Sequence, residues 1–119
     1  MTLDERVAVA LGWHKLRSLW VRIPSGALSG PALNDAPRYS TDWVLVPEML
    51  DWLEVDCYLK VALRRGADVC VHKDESMGIC LAWQDGHSLP EALAKVVVCV
   101  AESRLRNYPS HTIEYKEEP

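Results

Sequence analysis

The chain lacks long apolar runs, and this absence narrows the classes of protein to which it can belong. No run of its 119 residues approaches the length of about 18 apolar residues that a membrane-spanning helix needs. Asp4 and Glu5 precede the first apolar stretch, whereas a secretory signal peptide begins with a basic segment. The sequence therefore predicts a soluble, cytoplasmic protein without membrane association.

The chain also lacks closely spaced cysteine pairs. Its cysteines are Cys57, Cys70, Cys80 and Cys99, and no CxxC spacing occurs, which argues against a zinc ribbon. In a reducing cytosol they are expected to remain thiols. Cys70, His72 and Cys80 are predicted to share one face of adjacent strands. Cysteine and histidine are soft ligands that suit zinc, so a metal site there is conceivable. Because cysteine often packs as a small hydrophobe, we favour a packing role, with a metal site and redox or catalytic use as alternatives, and predict no metal or cofactor.

Charge and motif content argue against nucleic-acid binding and against catalysis. Acidic residues outnumber basic ones 17 to 13, and the basic residues form no stripe that could follow a phosphate backbone. Neither a phosphate-binding glycine loop nor a nucleophile elbow occurs, and the four histidines are scattered. Glu48, Asp51 and Glu54 repeat every three residues, which is typical of a solvated helix face. We predict that the protein is not an enzyme and assign no catalytic residue.

The first 37 residues predict a helix, a strand and a long loop. Thr2 and Glu5 have the spacing of a capping box, and Gly12 is a suitable helix terminator. A strand is predicted over 18–23, where Leu19, Val21 and Ile23 alternate with Trp20 and Arg22. The segment 24–37 holds three prolines and two glycines, so it cannot be one regular element.

The rest of the chain predicts a helix, three strands and a final helix. A second helix is expected from about Trp43, after the capping residues at 40–42. Pro47 removes a hydrogen bond, so either the helix kinks there or its regular part begins near Pro47, and one helix with an irregular first turn is favoured. Strands are expected over 58–64, 68–73 and 79–83, with Val69, Val71, Leu81 and Trp83 on one face. Ser88, Pro90 and Glu91 open the last helix.

These elements predict one α+β domain over residues 1–106, in the order α-β-α-β-β-β-α, followed by a polar tail over 107–119. An antiparallel meander of three or four strands would pack with three helices, as layered domains require. Residues 92–101 are apolar except for Lys95. A helix apolar on most sides is buried on more than one face, so this one packs on the sheet and either on another helix or on a second copy of the chain.

The segment Arg38, Tyr39, Ser40, Thr41 and Asp42 is the candidate contact site for a ligand or partner. Hydroxyls and an arginine at a helix N-terminus can hold an anion or phosphate. Asp42 is itself an anion, however, and can satisfy the helix end internally. Capping is therefore the favoured interpretation of this segment, and ligand or partner contact is the alternative.

Aromatic usage is biased, because the chain has five tryptophans and four tyrosines but no phenylalanine. Drift in a small protein explains this bias. Alternatively, tryptophan and tyrosine mark a contact surface, since both combine apolar area with a polar tip.

The order of these segments resembles that of the phage ABA-sandwich domain proteins, which are small proteins of phages and prophages. The resemblance covers residues 2–103 and depends most on the segments YSTD at 39–42 and SLPEAL at 88–93. It implies an α+β sandwich and the cytoplasm of an infected bacterium, but no activity, cofactor or catalytic residue.

Together these features favour a non-enzymatic binding protein that acts on a host or defence partner. The alternative is a protein that binds or sequesters an anionic, nucleotide-like ligand at residues 38–42. A small enzyme is the third hypothesis.

Overall fold

Over the residues that the structure describes, the chain folds into three helices, a 3-10 turn and two antiparallel sheets. The computed structural model describes residues 1–24, 26–55, 58–63, 66–72 and 80–105, with residues 80–86 and 103–105 described by their backbone alone. The elements in chain order are α1 (Leu3–Ala10), β1 (His14–Leu16), β2 (Leu19–Val21), β3 (Ala32–Leu33), the 3-10 turn (Trp43–Leu45), α2 (Val46–Glu54), β4 (Tyr58–Ala62), β5 (Ala67–His72), β6 (Cys80–Gly86) and α3 (Leu89–Leu105). The predicted loop at 75–78 and the tail from Asn107 lie outside the described residues.

The predicted α+β class and the meander of three strands are confirmed. Strands β4, β5 and β6 form one antiparallel sheet, and α3 packs against β5 and β6. A second sheet, β1-β2-β3, replaces the single strand predicted at 18–23. Its β1–β2 hairpin turns at Arg17, which has a φ of 58° although such a conformation favours glycine. The prediction missed the hairpin because no glycine or asparagine marks this turn.

Helix α1 begins and ends as predicted from its capping residues. The Glu5 amide donates to Thr2 Oγ1 over 3.2 Å, and the Thr2 amide donates to Glu5 Oε1 over 3.0 Å. Gly12 follows the helix with a φ of 98°, and the Trp13 amide donates back to the Ala8 carbonyl over 2.9 Å. This reversal of the chain directs Trp13 into the core, where it is 5% exposed.

The first sheet buries the aromatic side chain of β2 rather than its aliphatic neighbours. Trp20 is 4% exposed, whereas Leu19 is 39% exposed. The segment from Pro24 returns to this sheet, where the Arg22 amide donates to the Pro31 carbonyl over 3.2 Å. A Cβ on Gly30 would lie 1.9 Å from the Arg22 carbonyl oxygen, so this close approach of two backbones requires glycine.

The second helix has the irregular first turn that Pro47 predicts. Residues Trp43–Leu45 form a 3-10 turn, and the α-helix itself begins at Val46, with Pro47 in its first turn. A proline is well accommodated there because its missing amide hydrogen would have no intrahelical partner.

The register of the meander differs from the predicted alternation of faces. Val71 pairs with Ala82 and Cys70 pairs with Trp83, whereas His72 pairs with Cys80. A bulge between Val71 and His72 accounts for this change, because an extra residue in one strand reverses the alternation beyond it. The predicted grouping of Val69 and Val71 with positions 81 and 83 is therefore wrong.

Helix α3 is the centre of the core. It packs against α1, α2, β5 and β6, and Leu93, Ala94, Val96 and Val97 are fully buried. Arg6 of α1 bonds to Glu102 of α3 over 2.6 Å. Other elements of the same chain thus cover α3, which confirms packing on the sheet and on other helices, and an oligomer through this helix stays a prediction. Within the described residues, no helix is long and apolar enough to cross a membrane.

Candidate functional site

The predicted contact segment forms a tight turn that precedes the 3-10 turn. The amides of Thr41 and Asp42 both donate to the Arg38 carbonyl, over 3.1 and 2.8 Å. Asp42 Oδ1 accepts from the Val44 amide over 3.0 Å, which confirms its predicted capping role. Because α2 begins only at Val46, these residues do not form the start of an α-helix. The α-helix N-terminus on which the anion-binding interpretation of Arg38–Asp42 depended is therefore not at these residues.

Tyr39 is a buried anchor, and its prediction as a contact residue is wrong. Its side chain is fully buried. Trp13 Nε1 donates to the Tyr39 hydroxyl over 3.0 Å, and that hydroxyl lies 3.2 Å from Glu48 Oε1, to which it donates. Burial raises the pKa of Tyr39 to about 12, and the Glu48 charge acts in the same direction. The phenol is therefore neutral, and its hydroxyl connects Trp13, just before β1, with Glu48 of α2.

Arg22 extends this buried contact into a network of four side chains. Its guanidinium forms an ion pair with Glu48 and lies 4.6 Å from the centre of the Trp13 ring. Glu48 was predicted on a solvated face, but it is half-buried and accepts from both Arg22 and Tyr39. The network connects α2, the end of β2 and the segment that contains Tyr39.

A separate hydrogen bond fixes the same segment to α1. The Ser40 amide donates to Asp4 Oδ1 over 2.8 Å. Residues 39 and 40 are thus held from two sides, one through a buried side chain and one through the backbone. The turn that follows therefore begins from two residues whose positions are fixed by hydrogen bonds.

Two large apolar side chains on this turn are exposed, and the sequence did not predict this. Trp43 is 58% exposed and Val44 is 81% exposed. Both lie in the 3-10 turn, ahead of the α-helix in which Val46, Met49 and Leu53 are buried. The surplus of tryptophan was the one signal of a contact surface. Trp13 and Trp20 are buried and Trp52 is half-buried against the core, so among the described tryptophan side chains Trp43 is the exposed one.

Residues 38–44, here called the Trp43 turn, form a candidate interaction surface. Arg38, Thr41, Asp42, Trp43 and Val44 are exposed. Tryptophan and arginine are the residues that most often dominate binding energy at protein interfaces. The turn thus combines an aromatic anchor with one cationic and one anionic neighbour.

A groove lies next to this turn, between α1 and the first sheet. It consists of two cavities of about 510 and 280 Å³, and Glu5, Lys15 and Trp20 line both of them. The larger cavity is mainly apolar and is also lined by Met1, Val9 and Trp13. The smaller one is lined by Asp4 and Asp35. These residues define the α1 groove.

The charges of the α1 groove are arranged around its aromatic floor. Lys15 Nζ lies 5.9 Å from the centre of the Trp20 ring, within reach of a cation–π interaction. The hydrogen bond with the Thr2 backbone lowers the pKa of Glu5, and the positive charge of Lys15 contributes in the same direction. Glu5 is therefore ionised at neutral pH, and the groove presents carboxylates beside apolar surface.

Cys70 and His72 lie on a different part of the molecule, on β5. Cys70 Sγ is 3.3 Å from His72 Nε2, and His72 is 7% exposed. Cys70 and Cys99 are thiols, whereas Cys57 lies outside the described residues. His72 pairs with Cys80 in the sheet register, but the side chain of Cys80 is not described. Across the side chains that the structure does describe, no three metal-ligating groups come together.

Comparisons with protein-family models, with curated proteins and with solved structures give no match for this chain. The resemblance to the phage ABA-sandwich domain proteins thus remains a prediction from the sequence.

Proposed function

We propose that the chain is a phage-encoded, non-enzymatic protein of the bacterial cytoplasm that binds a host or defence protein through the Trp43 turn. The observation that supports this function is the exposure of Trp43 and Val44 on a turn that is anchored by the fully buried Tyr39. An apolar pair exposed at this level costs solvation free energy in the free protein, and a partner that covers it recovers that energy.

The support beneath the turn favours binding for a second reason. Tyr39 and Ser40 are fixed by hydrogen bonds to Trp13, Glu48 and Asp4. A turn that is already ordered loses little conformational entropy when a partner covers it, so more of the contact energy contributes to affinity.

The phage origin and the host partner in this proposal are supported by the resemblance of the segments at 39–42 and 88–93. Both segments have structural roles here. The first contains the anchor Tyr39 and the cap Asp42, and in the second Glu91 accepts from the His87 amide over 3.2 Å at the start of α3.

Capture from a bacterial lysate with three baits tests the proposal. The baits are the wild-type protein, Trp43→Ala, and Leu63→Ala, which removes a side chain of similar exposure (65%) outside the Trp43 turn. We expect the wild type and Leu63→Ala to retain the same bacterial protein and Trp43→Ala to lose it. The proposal fails if no protein depends on Trp43, or if Leu63→Ala loses the same protein.

A further inference from the structure

The α1 groove has the size and lining of a receptor for an aromatic side chain. Its larger cavity, about 510 Å³, lies within the range of about 300–1,000 Å³ that is typical of pockets for small ligands. Val9, Trp13 and Trp20 contribute apolar and aromatic surface to it. An indole group and one neighbouring aliphatic side chain fit this chemistry and this volume.

The Trp43 turn of the same protein offers such side chains, with charges that complement the groove. Trp43 and Val44 are exposed, and the exposed Arg38 lies five residues before Trp43. The smaller cavity of the groove is lined by Asp4, Glu5 and Asp35. Arg38 of one copy and Asp35 of another therefore form a complementary pair, and Lys15 at the groove is the counterpart of Asp42 on the turn.

The turn and the groove lie side by side, so a contact in which each copy's groove receives the other copy's turn can have two-fold symmetry. Asp4 lines the groove, and its carboxylate accepts from the Ser40 amide of the turn over 2.8 Å. When a donor surface and a receptor surface adjoin on one patch, two copies related by a two-fold axis satisfy both at once. Such an interface closes and does not propagate into a fibre.

We infer that the α1 groove receives the Trp43 turn of a second copy of this chain, in a two-fold dimer. The dimer covers Trp43, so self-association and the partner proposed above compete for one surface. The inference concerns the same turn but does not depend on that partner. Self-association is measured on the purified protein alone, so its failure leaves the proposed function untouched.

Two charge-reversal variants of exposed residues test this dimer. In Arg38→Glu, each interface site of a homodimer brings residue 38 of one copy against the unchanged Asp35 of the other. In Asp35→Arg, each site brings Arg38 against an arginine. We expect each variant alone to dimerise about tenfold more weakly than the wild type, since like charges at a docked interface repel. Mixed in equal amounts, the two variants form a heterodimer in which both sites regain opposite charges.

Sedimentation velocity across a concentration series, with native mass spectrometry of the mixture, gives the readout. Lys60→Glu and Asp51→Arg are the matched controls, since both reverse exposed charges on other elements, and they are expected to dimerise like the wild type. Recovery of a heterodimer only from the Arg38→Glu and Asp35→Arg mixture supports the inference. A wild type that stays monomeric throughout the series overturns it, and so does a wild-type dimer that the mixture does not restore.

Discussion

The two sheets of this protein are held in place by different interactions. The β4-β5-β6 sheet lies against α3, and Val69 and Val71 are fully buried there together with Leu93 of α3. The β1-β2-β3 sheet has strands of two or three residues, and most of its side chains are exposed. A polar network attaches it to α2, through Trp13, Tyr39 and the Arg22–Glu48 pair.

This contrast separates the part of the molecule that provides stability from the part that presents a surface. Apolar burial around α3 is spread over many side chains, each of which contributes to one cooperative core. The network at Tyr39 involves few atoms in defined geometry, and it orders the segment from which Trp43 extends. Substitutions in the two regions should therefore differ in how much they lower the free energy of unfolding and in how much of the chain they affect.

The largest effect is expected in the α3 region. Leu93→Ala removes a fully buried side chain and should lower the free energy of unfolding by about 2–5 kcal/mol. Chemical denaturation measures this loss, and Leu63→Ala, at an exposed site, should change stability by less than about 0.5 kcal/mol. Equal losses from the two variants would show that α3 is not the centre of the core.

A smaller and more local effect is expected in the network. Tyr39→Phe leaves Trp13 Nε1 without its acceptor in a buried site, which should cost about 1–3 kcal/mol. Hydrogen exchange should accelerate in β2 and the Trp43 turn more than in β5. Tyr58→Phe, at a residue that is 42% exposed, is the control. A uniform change across both sheets would contradict the separation described above.

The sequence predicted the helices and the meander because their signals are local and strong. Helix starts are indicated by capping chemistry, which depends on only a few neighbouring residues. Examples are Thr2 with Glu5, Pro47, and the Ser88–Glu91 segment. The bulge beside His72 was beyond prediction, since periodicity alone gives no sign of an inserted residue.

The candidate site was predicted only in part, because a sequence pattern does not show which single side chains become buried. Trp20 and Trp43 stand in similar apolar patterns, yet one is 4% exposed and the other 58%. Their burial depends on tertiary packing between residues far apart in the sequence, which a local apolar pattern does not report. Capping by Asp42 was predicted, but the role of Tyr39 as an anchor requires knowledge of Trp13 and Glu48.

The smallest expected effect is a loss of stability at alkaline pH, when the buried Tyr39 of the polar network ionises. The pKa of Tyr39 is raised to about 12, so its folded-state value lies above the unfolded value of about 10. The stability from this buried neutral phenol is complete below pH 10 and is lost as the pH rises towards 12. Phenolate absorbance, compared between the wild type and Tyr39→Phe, should assign the last titrating tyrosine to Tyr39. A difference spectrum that titrates near pH 10 would contradict its burial.

The most direct test of the central claim is calorimetric titration of the protein captured from the lysate, at concentrations where the chain is monomeric. If the Trp43 turn is the binding surface, Trp43→Ala should weaken the affinity by about 2 kcal/mol or more, about thirtyfold, while Leu63→Ala binds like the wild type. Affinities of Trp43→Ala and wild type that agree within error would contradict the account.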